Sequence, residues 1–96
     1  MNQIKGAIGI LETKGFVSLI DCVDAMIKTS NVEILGEQRI GGGIISVCIY
    51  GDIGSVRVAI DTGYEVGKKY GTDNLKATII ANPSDGLMKM FFSEGK

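Results

Sequence analysis

Apolar and polar residues follow two different periods along the chain, and each change of period marks a predicted element. Residues 4–11 (IKGAIGIL) are apolar or small with β-branched ends, which predicts a first strand that ends within residues 12–15. The apolar positions then recur every three or four residues, at Phe16, Leu19, Ile20, Val23, Met26 and Ile27. This spacing predicts an amphipathic helix with those side chains on its apolar face, and Asn31 is expected to end it.

Three consecutive glycines join the next two predicted strands. Residues 32–40 (VEILGEQRI) alternate between apolar and polar, as in a half-exposed strand, and residues 44–50 (IISVCIY) form a denser apolar strand. Gly41, Gly42 and Gly43 lie between the two. Because glycine adopts positive φ without a steric cost, the simplest interpretation is a hairpin with a glycine tip.

The following segment is predicted to be a second helix that ends near Gly71. Asp52 is expected to cap it by accepting a hydrogen bond from the backbone N–H of Gly54 or Ser55. Its buried face is expected to begin with Val56, Ala59, Ile60 and Gly63. Small residues also repeat every four positions, at Ser55, Ala59, Gly63, Gly67 and Gly71. Since a glycine within a helix costs about 1 kcal/mol relative to alanine, this row indicates a close backbone approach, either to the domain's own sheet or to another subunit.

The last segments complete the predicted topology. Residues 75–81 (LKATIIA) predict a fourth strand, which Asn82 and Pro83 end, and Ser84 is expected to cap a short third helix that carries Leu87, Met88, Met90 and Phe91. The order β-α-β-β-α-β-α predicts an α+β fold of the ferredoxin-like, split βαβ type, with an antiparallel sheet and helices packed on it. We expect residues 1–96 to form a single domain.

The composition limits the classes of function. Of the 96 residues, 45% are hydrophobic and 22% charged, with ten basic and eleven acidic side chains, which is typical of a globular protein without a bias toward polyanions. Nucleic acid is therefore not an expected partner. Residues 1–14 match neither a secretory signal nor a membrane span, so we expect a cytoplasmic protein without a membrane partner.

Few side chains in this sequence are suited to catalysis. The chain has no histidine, which removes the usual general base, the usual metal ligand and the usual partner of a nucleophilic serine or cysteine. Cys22 and Cys48 match no zinc or redox spacing and are expected to be reduced, packed thiols. Nothing in the sequence pairs Tyr50, Tyr64 or Tyr70 with a base. We expect no catalytic residue, no metal site and no cofactor.

Four stretches together resemble the bacterial microcompartment shell proteins of the single-domain, hexamer-forming type. They are AIGILETKGF (7–16), DAMIKTSNVEIL (24–35), RIGGGIISV (39–47) and GDIGSVRVAIDTG (51–63). They cover more than half of the chain in the family's order and spacing. Their combination is specific, although no one of them is specific alone.

The resemblance implies a structural role in the shell. Such proteins form flat homohexamers that tile into a facet around metabolic enzymes, and a central pore passes small polar metabolites. The loop between the second and third strands converges on the symmetry axis, and in this chain that loop consists of Arg39, Ile40, Gly41, Gly42 and Gly43. Every side chain near the axis is repeated in every subunit, so a bulky residue would close the opening and glycine keeps it open.

The resemblance also implies an edge at which hexamers meet. By the family pattern the lysine of DAMIK, Lys28, extends along its counterpart on the neighbouring tile and donates hydrogen bonds to backbone carbonyls there. Asn31, Asn82 and Pro83 are expected at the same edge. The family commonly has a basic residue before this proline; Asn82 can form a hydrogen bond across a seam but contributes no charge.

A second hypothesis is a regulatory domain of the same ferredoxin-like order that senses a small molecule or anion. The glycine loop would then hold the anion through its backbone amides. No cluster of arginines accompanies the loop, which favours the shell protein. The partners expected for a shell protein are further copies of the chain, other shell proteins, encapsulated enzymes and small polar metabolites.

Overall fold

The predicted order of elements is confirmed. The structure is a computed structural model that describes residues 6–84 and Leu87. Its elements are β1 (Gly6–Lys14), α1 (Phe16–Thr29), β2 (Glu33–Gly41), β3 (Ile44–Asp52), α2 (Ile53–Gly67), a 3-10 turn (Lys68–Tyr70) and β4 (Lys76–Ala81). The third helix predicted after Ser84 lies outside the described residues; Ser84 Oγ accepts a hydrogen bond from Leu87 N at 3.1 Å.

The strands form one antiparallel sheet in the order β2-β3-β1-β4. The helices cover the face to which the odd-numbered residues of β1 point: a Cβ at Gly9 would lie 2.7 Å from Ile60 Cγ1 of α2. On the same face the hydroxyl groups of Thr13 and Ser18, the latter on α1, lie 2.7 Å apart. This is the α+β, split βαβ architecture expected from the sequence.

The end of β1 lies within the predicted range, and the end of α2 differs from its prediction. β1 continues to Lys14, where the buried Thr13 hydroxyl is satisfied by Ser18 and the strand still pairs with β3. α2 ends at Gly67 instead of near Gly71, since a 3-10 turn follows and Gly71 has a φ of 109° that no helix accommodates.

The buried face of α1 is narrower than its apolar pattern predicted. Its buried residues are Ser18, Leu19, Cys22 and Met26. Phe16, Ile20 and Ile27 are instead 51%, 53% and 48% exposed in the single chain. The helix turns a mixed stripe toward the sheet because Ser18 is satisfied by Thr13 there, and part of its apolar surface points outward.

The glycine row of α2 packs within the domain at two of its positions. A Cβ at Gly63 would meet Met26 Sδ of α1 and would lie 3.0 Å from Leu11 Cδ2 of β1. A Cβ at Gly67 would lie 2.7 Å from Leu75 Cδ1. The first of the two interpretations of this row, close packing inside the domain, is therefore confirmed at Gly63 and Gly67.

Gly63→Ala is expected to lower the free energy of unfolding by about 1 to 3 kcal/mol, because the added methyl group overpacks the contact with Met26. Urea unfolding followed by circular dichroism measures this. Gly54→Ala is the matched control in the same helix, since its Cβ would make only an ordinary 3.4 Å contact with Asp52 Oδ1. A Gly63→Ala protein as stable as the wild type would contradict this description of the core.

Candidate functional site

The three glycines form a tight hairpin whose backbone requires glycine. Gly42 and Gly43 are the two turn residues between β2 and β3, with φ of 63° and 83°, the sign that a type I′ turn needs at both central positions. Gly41 has a φ of 126° and lies at an irregularity in the pairing of β2 with β3. A Cβ at Gly41 or Gly42 would meet no atom of the described chain within 4 Å. Backbone conformation, and not crowding within the subunit, selects glycine here.

The hairpin tip is fastened to the junction of β1 and α1. Gly15 N donates a hydrogen bond to Gly43 O at 2.8 Å, and Lys14 pairs with Ile44 at the end of the β1-β3 ladder. The buried hydroxyl pair of Thr13 and Ser18 holds the start of α1 against the same end of β1. These contacts were not predicted from the sequence. No local sequence pattern shows which residues pair across strands or which carbonyl accepts the hydrogen bond from Gly15 N.

The predicted loop residues are brought together at this end of the sheet. Arg39 pairs with Ile45 of β3, and Ile40 lies between Arg39 and Gly41 where the register shifts. All of the residues from Arg39 to Gly43 are exposed in the single chain. The hairpin is thus an exposed tip of three glycines without side chains, with the cationic Arg39 and the apolar Ile40 beside it.

The residues predicted for the edge lie at the other end of the sheet. Asn82 N donates a hydrogen bond to Gly6 O at 2.9 Å, which ties Asn82 and the following Pro83 to the start of β1. Asn31 O lies 3.1 Å from the Cβ position of Gly51, the partner of Ala7 near that same start. The hairpin is bonded to the opposite end of β1, which lies about 26 Å from Gly6 along the strand at roughly 3.3 Å per residue.

Lys28 lies in the last turn of α1, close in sequence to Asn31. Its Nζ is 3.0 Å from Asp24 Oδ2, and the two side chains are 71% and 54% exposed. An exposed ion pair of this kind constrains the side chain only weakly. The ammonium group of Lys28 is therefore accessible to a partner outside the chain.

Asn82 has a φ of 49°, a left-handed backbone conformation that asparagine tolerates.

The cap of α2 is the one predicted. Asp52 Oδ1 accepts a hydrogen bond from Ser55 N at 2.9 Å, and Oδ2 accepts one from Ser55 Oγ at 2.9 Å. The backbone hydrogen bond, followed by the hydroxyl one, lowers the pKa of Asp52 below its usual value of 3.8. The cap lies at the same end of the sheet as Asn82, because Asp52 pairs with Gly6 and Asn82 N donates a hydrogen bond to Gly6 O.

The environments of both thiols and of the Tyr70 phenol raise the pKa values of these groups and favour their protonated forms. Cys22 and Cys48 are free and buried, as predicted, and burial raises the pKa of both thiols, that of Cys48 to about 11. Tyr70 Oη donates a hydrogen bond to Asp21 Oδ2 at 2.7 Å, which raises the pKa of this phenol. Within residues 6–84 no group of three or more histidine, cysteine or carboxylate side chains is arranged to hold a metal ion.

Comparison with known proteins identifies the family. The family model described as the BMC domain matches residues 7–83. The chain belongs to the BMC domain family. It is 40% identical over 85 residues to the bacterial microcompartment shell protein PduA of Citrobacter freundii, a match that covers 88% of this chain and 89% of PduA. It is 34% identical over 82 residues to the carboxysome shell protein CcmK2 of Thermosynechococcus vestitus, covering 84% of this chain and 80% of CcmK2.

A solved structure confirms the fold. A microcompartment protein from Desulfitobacterium hafniense DCB superposes with a TM-score of 0.80 and 23% identity, over 92% of this chain and 47% of that protein. The chain thus spans about half the length of this structural neighbour. Together with the family match and the relatives, these findings make the chain a bacterial microcompartment shell protein. In the part of the chain that the structure describes, no helix is long and apolar enough to cross a membrane.

Asp52 gives the fold a testable dependence on pH. Because the folded pKa of Asp52 is lowered, its contribution to stability is complete above the usual value of 3.8 and is lost as the pH falls through the folded pKa. Asp52→Asn keeps a capping side chain without a titratable group. The difference in melting temperature between wild type and Asp52→Asn should therefore shrink as the pH is lowered from neutral toward 3, in thermal melts at each pH. An equal difference at every pH would contradict the cap.

Proposed function

We propose that the chain assembles as a flat homohexamer that tiles into shell facets, with the hairpin Arg39–Gly43 around a central pore for small polar metabolites. The observation that carries this proposal is the separation of the two sets of residues. The glycine hairpin lies at one end of β1 and Asn31 and Asn82 lie at the other. One end of each subunit can therefore face a symmetry axis while the other faces a neighbouring tile.

The conformation of the hairpin suits a position at the axis. Around such an axis each residue occurs once in every subunit, so side chains on Gly41 and Gly42 would be multiplied in the opening. The positive φ angles leave only backbone at the tip, whose N–H and C=O groups can replace part of a solute's hydration. The hydrogen bond from Gly15 N to Gly43 O holds the tip against the junction of β1 and α1. A tip held in this way keeps the width of the opening constant.

The other end of the subunit supplies groups that suit a contact between tiles. In this proposal Lys28 extends along the neighbouring tile and donates to backbone carbonyls there, since Asp24 holds its exposed ammonium group only weakly. Asn31, Asn82 and Pro83 complete the edge. Asn82 contributes hydrogen bonds but no charge, so Lys28 supplies the positive charge of this contact.

The surface of the single chain supports assembly into a ring. Several large apolar side chains are about half exposed or more, and they lie on α1, β2 and α2: Phe16, Val17, Ile20, Ile27, Ile34, Ile40 and Val58. Exposed apolar surface of this extent is typical of a protein that contacts further subunits. In a closed ring two different faces of each subunit meet, which would cover these side chains.

The proposed role is structural, without a catalysed reaction. The buried thiols have raised pKa values and the phenol of Tyr70 donates a hydrogen bond to a carboxylate, so none of these three groups is an activated nucleophile. The proposed partners are further hexamers, other shell proteins and the enzymes enclosed by the shell. PduA and CcmK2, which are named as shell proteins, support this assignment.

Gly42→Leu is expected to reduce the entry of metabolites while shells still assemble. An apolar side chain from every subunit would narrow the opening and favour its dewetting. The test uses shells in which this protein is the only hexameric component and measures turnover of an external substrate by an enclosed enzyme. Gly71→Leu is the matched control, since Gly71 also has a positive φ and open space around its Cβ but lies outside the hairpin. Unchanged turnover in intact Gly42→Leu shells would show that transport bypasses the hairpin.

Lys28→Ala is expected to abolish extended arrays and leave the hexamer and its melting temperature nearly unchanged, because an exposed ion pair adds little to subunit stability. Electron microscopy of sheets and native mass spectrometry measure the two levels of assembly. Asp24→Ala is the control: it breaks the same ion pair but keeps the ammonium group, so arrays should persist. Arrays of Lys28→Ala at the wild-type protein concentration would refute the edge assignment.

A further inference from the structure

We infer that Arg39 and Lys14 form two cationic rings at the pore, one on each face of the sheet, and that the two rings together select small anions. This inference rests on the proposed hexamer and deepens it. It names Lys14 as a specificity-determining residue. In the sequence Lys14 is one of several lysines, and only the folded structure brings it to the hairpin.

The side chain of Lys14 lies directly beside the glycine tip. Its Cγ and Cε atoms are each 3.7 Å from the Cβ position of Gly43. Its backbone is fixed there, because Lys14 pairs with Ile44 and the next residue, Gly15, donates a hydrogen bond to Gly43 O. Lys14 is exposed in the single chain. Wherever the hairpin lies in the assembly, the stem of Lys14 lies next to it.

Lys14 and Arg39 project from opposite faces of the sheet. Residues paired across antiparallel strands share a face, and successive residues of one strand alternate between faces. Arg39 pairs with Ile45, which pairs with Thr13, and the Thr13 hydroxyl contacts Ser18 of α1, so Arg39 is on the face that carries the helices. Lys14 follows Thr13 and is therefore on the other face. In a pore whose axis crosses the sheet from one face to the other, Arg39 would lie at one mouth and Lys14 at the other.

Along β1 and along β2, the nearest carboxylate lies further from the tip than the cation does. On the face of Lys14, Glu12 is two residues back along β1, and it pairs with Ser46 and Lys76. On the face of Arg39, Glu37 is two residues back along β2. Among the described residues neither Lys14 nor Arg39 forms a salt bridge. The charged residue nearest the tip is therefore a cation on each of these two strands, and in a ring it would be repeated in every subunit.

A pore with a cationic ring at each mouth concentrates small anions at both ends of the passage. Charged rings at a constriction raise the local concentration of counter-ions, and the effect weakens as salt shortens the screening length. A single ring would leave the second mouth without this attraction. The ligand class that fits is a small monovalent anion, with neutral polar solutes passing at a rate independent of the two rings.

The test compares an anion with a neutral solute in the same shells. Shells with this protein as the only hexameric component enclose either a halide-sensitive fluorescent protein, which reports iodide entry, or catalase, which reports entry of hydrogen peroxide. Lys14→Gln should lower the ratio of iodide to peroxide entry about threefold or more at low ionic strength, and added salt should remove most of the difference. Lys14→Arg should restore the ratio. Arg39→Gln should lower it to a similar extent, and the double variant should lower it further.

Lys76→Gln is the matched control. It removes the same charge from the same face, because Lys76 pairs with Glu12, but it lies on β4 away from the hairpin. An unchanged ratio in Lys14→Gln shells, or an equal loss in Lys76→Gln shells, would overturn the role of Lys14. If Gly42→Leu blocks both solutes in the same preparation, the proposed pore stands whatever the result for Lys14. If Gly42→Leu blocks neither solute, both the proposed pore and the role of Lys14 are contradicted.

Discussion

The position of β1 in the middle of the sheet is the constraint on which the rest of the structure depends. β1 pairs along its length with β3 on one side and with β4 on the other. Because both pairings are antiparallel, the end of β1 receives the β2-β3 hairpin and its beginning receives Asn82. The separation of the hairpin from Asn31 and Asn82 is a direct consequence of this register, and a shift of one residue would move every side chain of β1 to the other face.

The same register explains how the helices are placed. Leu11 and Thr13 point from β1 toward the helices, Gly63 of α2 allows Met26 of α1 to pack closely, and Thr13 satisfies the hydroxyl of Ser18. Because protein interiors have few voids, a close-packed core of this kind cannot absorb small displacements and transmits them to its neighbours. The core therefore supports the hairpin from the helix side, while Lys14 lies beside it on the other side.

The fold could be predicted from the sequence because its elements have strong local signals. The change of period at Phe16, the glycines at the hairpin and the Asp52 cap each depend on residues close together in the chain, and each prediction was confirmed. The predicted apolar face of α1 is exposed at Phe16, Ile20 and Ile27, because periodicity shows that side chains are apolar but not whether their own subunit covers them.

The candidate site was likewise only partly predictable from the sequence. The positive φ at the hairpin could be predicted from glycine alone. The bond from Gly15 to Gly43, the hydroxyl pair of Thr13 and the position of Lys14 could not, since each depends on strand pairing between residues far apart in sequence. The roles of Lys28, Asn31, Asn82 and Pro83 came from the family resemblance; the structure adds that Asn31 and Asn82 share the end of the sheet away from the hairpin.

The central claim is that one end of the subunit faces a symmetry axis and the other faces a neighbouring tile. Electron cryomicroscopy of the sheets that the purified protein forms tests this most directly. We predict six subunits around each axis, with Gly41–Gly43 as the closest approach to it and Lys28 and Asn82 at the seam between rings. A different number of subunits, or a ring with the β2-β3 hairpin at its periphery, would contradict the claim.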